Sequence, residues 1–136
     1  MLIVDTGVLL AAADVNDPDH DTCAALLLGE PGDLVTTALV IAETAYLIGR
    51  QLGASAEAAF FVSVAERSVV IDELTTDDLR RITALVANYV DFPLGGTDAS
   101  VIALAERHNA TAIATLDRRH FSVVRPSHVA AFEIVP

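Results

Sequence analysis

The chain has 136 residues, 53% of them hydrophobic, and a formal net charge of −11. That length suits one compact domain, residues 1–136, with one sizeable core, and is too short for two ordinary domains. A single cysteine excludes an internal disulfide and fits a reducing cytoplasm; no apolar run approaches the roughly 20 residues of a membrane span, and Asp5 after three apolar residues, with no basic leader, does not read as a signal peptide.

Short apolar segments alternate with longer ones of helical period. Strands are expected at residues 2–4, 34–36, 69–72, 112–116 and 132–135. Helices are expected at 7–14, 19–28, 38–52, 55–66, 76–90 and 98–108, with a turn of helix at 118–121. Every gap between strands is long enough for a right-handed crossover, so the fold class is α/β, a mostly parallel five-stranded sheet flanked by helices. Such sheets bind ligands beyond the carboxyl ends of their strands, where the strand order reverses. No internal repeat, low-complexity tract or Pro/Gly/Ser-rich linker interrupts this pattern.

Four acids stand where an acid is a poor structural choice: Asp5, Glu43, Asp98 and Asp117. Asp5 follows the strand Leu2-Ile3-Val4, and Asp117 follows Ala112-Ile113-Ala114-Thr115-Leu116. If the first and fourth strands are neighbours at the reversal, the two carboxylates meet there. Glu43 interrupts an apolar helix with no Lys or Arg three or four residues away, where unpaired burial costs several kcal/mol. Asp98 opens a helix after Gly95-Gly96-Thr97. Two carboxylates about 5 Å apart repel by roughly 3 kcal/mol at an effective dielectric near 20. A cluster of four raises its own pKa values or recruits a hard cation such as Mg2+ or Mn2+. His20, His108, His120, His128 and Cys23 make no zinc-like spacing.

Each acid has a plainer reading beside this one. Asp5, Asp98 and Asp117 are all placed to cap helices, and Glu43 can pair with Arg50 along its helix. His120 reads as a packing residue beside Phe121. Asp14, Asp17, Asp19 and Asp21 lack the glycine and terminal Glu of a calcium loop and read as a solvated turn. Asp77 and Asp78 read as charges at a helix N-terminus.

All eight cations are arginines. Receiver domains and haloacid-dehalogenase-type phosphatases also place an Asp after the first strand, but both need a lysine, and this chain has none. The phosphatases' second Asp is also missing, since that position is Gly7.

Together these residues resemble a PIN-domain nuclease of the single-domain, VapC-type toxin kind. The resemblance is carried by Val4-Asp5-Thr6, Ile41-Ala42-Glu43, Gly95-Gly96-Thr97-Asp98-Ala99 and Thr115-Leu116-Asp117-Arg118-Arg119-His120-Phe121. Each motif is weak alone, but four in order over nearly the whole chain are specific. The resemblance implies a PIN-like three-layer fold and a Mg2+-dependent endoribonuclease, with Mn2+ as a substitute ion. Asp5, Glu43, Asp98 and Asp117 would then bind metal, while Thr6, Arg118 and Arg119 contact substrate. It also implies a VapB-like antitoxin whose basic segment crosses the acidic cleft, an RNA substrate and a homodimer. A non-catalytic RNA- or protein-binding module is the alternative; retention of all four acids argues against it. The net charge of −11 is unusual for an RNA partner, which a basic surface normally announces. Phe60, Phe61 and Tyr46 lie in helices with more apolar surface than one sheet face needs, and suit a dimer or antitoxin interface.

Overall fold

The computed structural model describes residues 1–136. Five strands form one sheet in the order β3-β2-β1-β4-β5: β1 Leu2–Val4, β2 Leu34–Thr37, β3 Val70–Asp72, β4 Ala112–Ala114 and β5 Glu133–Val135. All four pairings are parallel. The order reverses between β1 and β4, where Ile3 pairs with Ile113 and Val4 with Ala114. This juxtaposition is the one the sequence argument required.

Seven helices connect the strands: α1 Thr6–Ala13, α2 His20–Gly29, α3 Ala38–Leu52, α4 Ala54–Ala65, α5 Thr76–Asn88, α6 Gly96–Arg107 and α7 Arg118–Val123. Leu2, Ile3 and Val4 are all buried, as a central parallel strand covered on both faces demands. α6 packs on β1 and β2 and buries an unbroken run from Ala99 to Ala105. Ala99, Val101, Ile102, Leu104 and Ala105 of this run, with Phe121, belong to one cluster of 23 buried residues.

Local chemistry sets the boundaries. The Thr37 hydroxyl caps α3 by accepting from the Val40 N–H at 3.3 Å. α5 opens on a capping box: Thr75 Oγ1 accepts from the Asp78 N–H at 3.1 Å, and Asp78 Oδ2 accepts from the Thr75 N–H at 2.8 Å. α3 and α4 pack as a hairpin around Gly53, whose φ of 93° favours glycine. β4 stops at Ala114, two residues short of expectation, and α6 begins at Gly96, so Asp98 lies inside its first turn. α5 likewise ends at Asn88.

Phe60 packs against the core, whereas Phe61 and Tyr46 are exposed at 47% and 60%. The acidic segment after α1 is a turn in which Asp14 and Asp17 accept backbone N–H groups two residues on. No helix is long and apolar enough to cross a membrane.

Candidate active site

The carboxyl ends of β1 and β4 bring Asp5 and Asp117 to the same edge of the sheet. The Asp5 N–H donates to the Ala114 carbonyl at 2.9 Å, so its backbone extends the β1–β4 ladder. It occupies the N-cap position of α1, yet its side chain makes no cap bond. That carboxylate is buried and accepts from Thr115 Oγ1 at 2.7 Å. Burial pushes its pKa up to about 6, against the Thr115 hydroxyl and the Thr6 N–H, while the charges of Asp98 and Glu43 raise it further.

Thr115 links two of the acids. The residue is 1% exposed; its hydroxyl donates to Asp5 and accepts from the Asp117 N–H at 3.0 Å. Asp117 does cap α7, through the His120 N–H at 3.0 Å, and its other oxygen bonds the His120 ring Nδ1. Burial alone would raise the Asp117 pKa; the two bonds from His120, with the charges of His120 and Arg119, hold it below the usual value instead.

Asp98 is half-buried and its cap role is taken by Gly95. Burial raises its pKa, and the charges of Asp117 and Glu43 add to the rise; the charge of His120 and the Gly95 backbone oppose it. Glu43 corrects one sequence expectation: it is exposed. Helix period explains this, because Val40, Ile41, Thr44, Ala45 and Ile48 form the buried stripe of α3 and turn position 43 outward. Glu43 meets the others through Thr6, whose Oγ1 donates to its Oε2 at 2.7 Å. Arg50 is not its partner; that guanidinium reaches the Tyr46 hydroxyl at 3.4 Å.

Thr115 thus joins Asp5 to the Asp117 backbone and Thr6 holds Glu43, while Asp98 is linked to the other three by charge alone. As the side chains stand, no three His, Cys, Asp or Glu residues converge closely enough to hold an ion. The chemistry of the donor set nonetheless fits a hard divalent cation: oxygen ligands only, with Asp5 and Asp98 raised by burial and by neighbouring acid charge, and no arginine salt bridge to any of the four.

Of the expected substrate contacts, Thr6 is buried against Glu43. Arg118 and Arg119 are exposed. Arg118 Nη2 donates to the Pro136 carbonyl, and the Arg119 guanidinium lies over the Phe92 ring, 5.1 Å from its centroid. His120 corrects a second expectation. It is not packed beside Phe121, which is buried in the core, but is half-buried, bonded to Asp117 and 4.9 Å from Phe92. Thr115, His120 and Phe92 are the residues sequence reasoning missed; Thr115 and His120 both stood within a quoted motif, whereas Phe92 gave no signal.

A parallel α/β sheet with an acid cluster at its switch point defines a class of metal-assisted phosphodiester chemistry. Residues 2–125 match the PIN domain family, and the chain belongs to it. It is 33% identical over 135 residues to Ribonuclease VapC26 of Mycobacterium tuberculosis (99% of this chain, 100% of the relative). Its fold matches Mycobacterium tuberculosis VapC20, a toxin described as cleaving the sarcin-ricin loop, with TM-score 0.84 at 22% identity (96% and 99% covered). A toxin-antitoxin complex from Klebsiella pneumoniae matches with TM-score 0.73 at 16% identity (100% and 97% covered).

Proposed function

We propose that this chain is a single-domain, metal-dependent endoribonuclease, the toxin of a VapBC-like pair acting in the cytoplasm. The observation that carries it is the joining of Asp5 and Asp117 through Thr115 at the β1–β4 switch point, with Glu43 and Asp98 near enough to raise the Asp5 pKa, in a chain 33% identical over nearly its full length to a ribonuclease. Mg2+ is the ion proposed, with Mn2+ as a substitute, held by Asp5 and Asp98 with help from Asp117 and Glu43. Bound there, the ion supplies an acidified water and neutralises charge developing on the phosphoryl oxygens.

The chain's own residues do the positioning. Thr115 engages one oxygen of Asp5 and leaves the other for the site. The Thr6 bond orients Glu43, and His120 fixes Asp117. The exposed Glu43 and the half-buried Asp117 are placed to orient the attacking water, and Arg118 and Arg119 beside Asp117 to grip backbone phosphate.

Partners follow from surface chemistry and from the toxin-antitoxin neighbour. A net charge of −11 attracts a basic antitoxin segment over long range. The exposed Tyr46, Phe61 and Val62 on α3 and α4 are proposed as the homodimer face, which would line a shared groove with arginines from both copies.

The test is cleavage of labelled total RNA with Mg2+, beside an EDTA control and Asp98→Asn. Discrete fragments from the wild type should disappear in both controls, with the variant's rate down at least a hundredfold. Fragments that persist in EDTA would sink the metal mechanism.

A further inference from the structure

A contact to RNA on so acidic a protein has to be local, and one group of side chains beside the acids has the chemistry for it. Arg80, Arg81 and Arg107 are paired with carboxylates. Arg119 is not in such a pair, although Asp117 is close enough to feel its charge. It lies instead over the Phe92 ring at 5.1 Å. The His120 ring sits 4.9 Å from the same phenyl group, tilted by 55°. The turn that carries Phe92 is closed by its N–H, which donates to the Tyr89 carbonyl at 3.0 Å, and the His120 ring is tied through Nδ1 to Asp117. Phe92 and His120 are half-buried and Arg119 is exposed, so the three stand at the protein surface.

We infer that Phe92, Arg119 and His120 form a stacking site for one unpaired nucleobase of the RNA substrate, adjacent to the scissile phosphate. The inference rests on the nuclease reading. Unpaired bases stack on aromatic rings and on guanidinium planes, and this attraction does not depend on a basic surface. The site abuts the acids, since His120 bonds both Asp117 oxygens, one through its N–H at 3.0 Å and the other through its ring. A base held here fixes the position of its neighbouring phosphate, and so contributes to the choice of cleavage site. Selection by stacking favours single-stranded or looped RNA over a duplex, whose bases are already stacked.

The experiment maps the cut, then compares oligonucleotides in which each nucleotide flanking it is made abasic in turn. Wild-type kcat/KM should fall about tenfold at one position, the scale of one lost base–aromatic stack. Phe92→Leu should lose a similar factor on intact RNA and lose nothing further on that abasic substrate, while Phe92→Tyr keeps the wild-type response. Equal cleavage of all abasic substrates by active wild type overturns the stacking site and leaves the nuclease reading standing. So does a Phe92→Leu enzyme as fast as wild type. A wild type that cuts no RNA removes both. The abasic series uses unmodified protein, so a poorly folding variant does not blunt the test.

Discussion

At the residue scale, Asp5 is a buried carboxylate held by the Thr115 hydroxyl. Its pKa rises from 3.8 to about 6 because burial disfavours the charge. The folded state therefore binds more protons than the unfolded chain between those values, and stability falls as pH rises from about 4 to about 6. At about 1.36 kcal/mol per pH unit, the full effect is about 3 kcal/mol. Asp5→Asn, which keeps the acceptor for Thr115 and removes the charge, should thus be more stable than wild type at pH 7 without divalent metal, and by far less at pH 4. Urea unfolding in EDTA at both pH values measures this; a gap independent of pH would show that charge burial is not the cause. Activity should be lost in the same variant, as expected where a functional group is kept at a cost in stability.

At the element scale, the α5–α6 pair carries the strongest polar clamp. Arg81 donates through Nε and Nη2 to the two Glu106 oxygens at 2.7 and 2.8 Å, and the Ser127 N–H adds a third bond to Glu106 at 2.9 Å. Burial would raise the Glu106 pKa, but these donors hold it below its usual 4.5. The stabilisation is present above that value and lost as pH falls through the lower folded one, opposite in sign to Asp5. Glu106→Gln should cost about 2 kcal/mol at pH 7, discounted for the partly exposed Arg81. Denaturant midpoints report it, and a change below about 0.5 kcal/mol would mean the clamp contributes little. α6 also carries Asp98, so this clamp steadies the helix that presents one of the four acids.

At the scale of the whole molecule, charge and apolar surface point to association. Tyr46, Phe61 and Val62 are 60%, 47% and 56% exposed on adjacent helices, more apolar surface than scattered single residues explain. Phe61→Glu should convert a dimer to a monomer in light scattering after size exclusion, with the melting temperature of the subunit little changed. A wild type already monomeric at tens of micromolar would remove the proposed face.

Much was legible in the one-dimensional pattern because the forces behind it are local. Apolar runs bounded by Gly, Pro and capping residues located all five strands and seven helices to within about two residues, and long connections dictated parallel pairing. Asp5 and Asp117 were conspicuous because carboxylates at strand ends oppose burial, and Glu43 because it interrupts an apolar helix. Tertiary structure decided the rest. Glu43 faces outward because the buried stripe of α3 runs through Thr44 rather than position 43, and in an apolar helix only packing selects the face. Thr115 joins Asp5 across 110 positions, and His120 turns to Asp117 because the core takes Phe121. Phe92 reaches α7 from a loop. Such contacts arise where distant segments meet at the sheet edge, so no spacing in the chain encodes them, and they determine how the acids the sequence supplied are held.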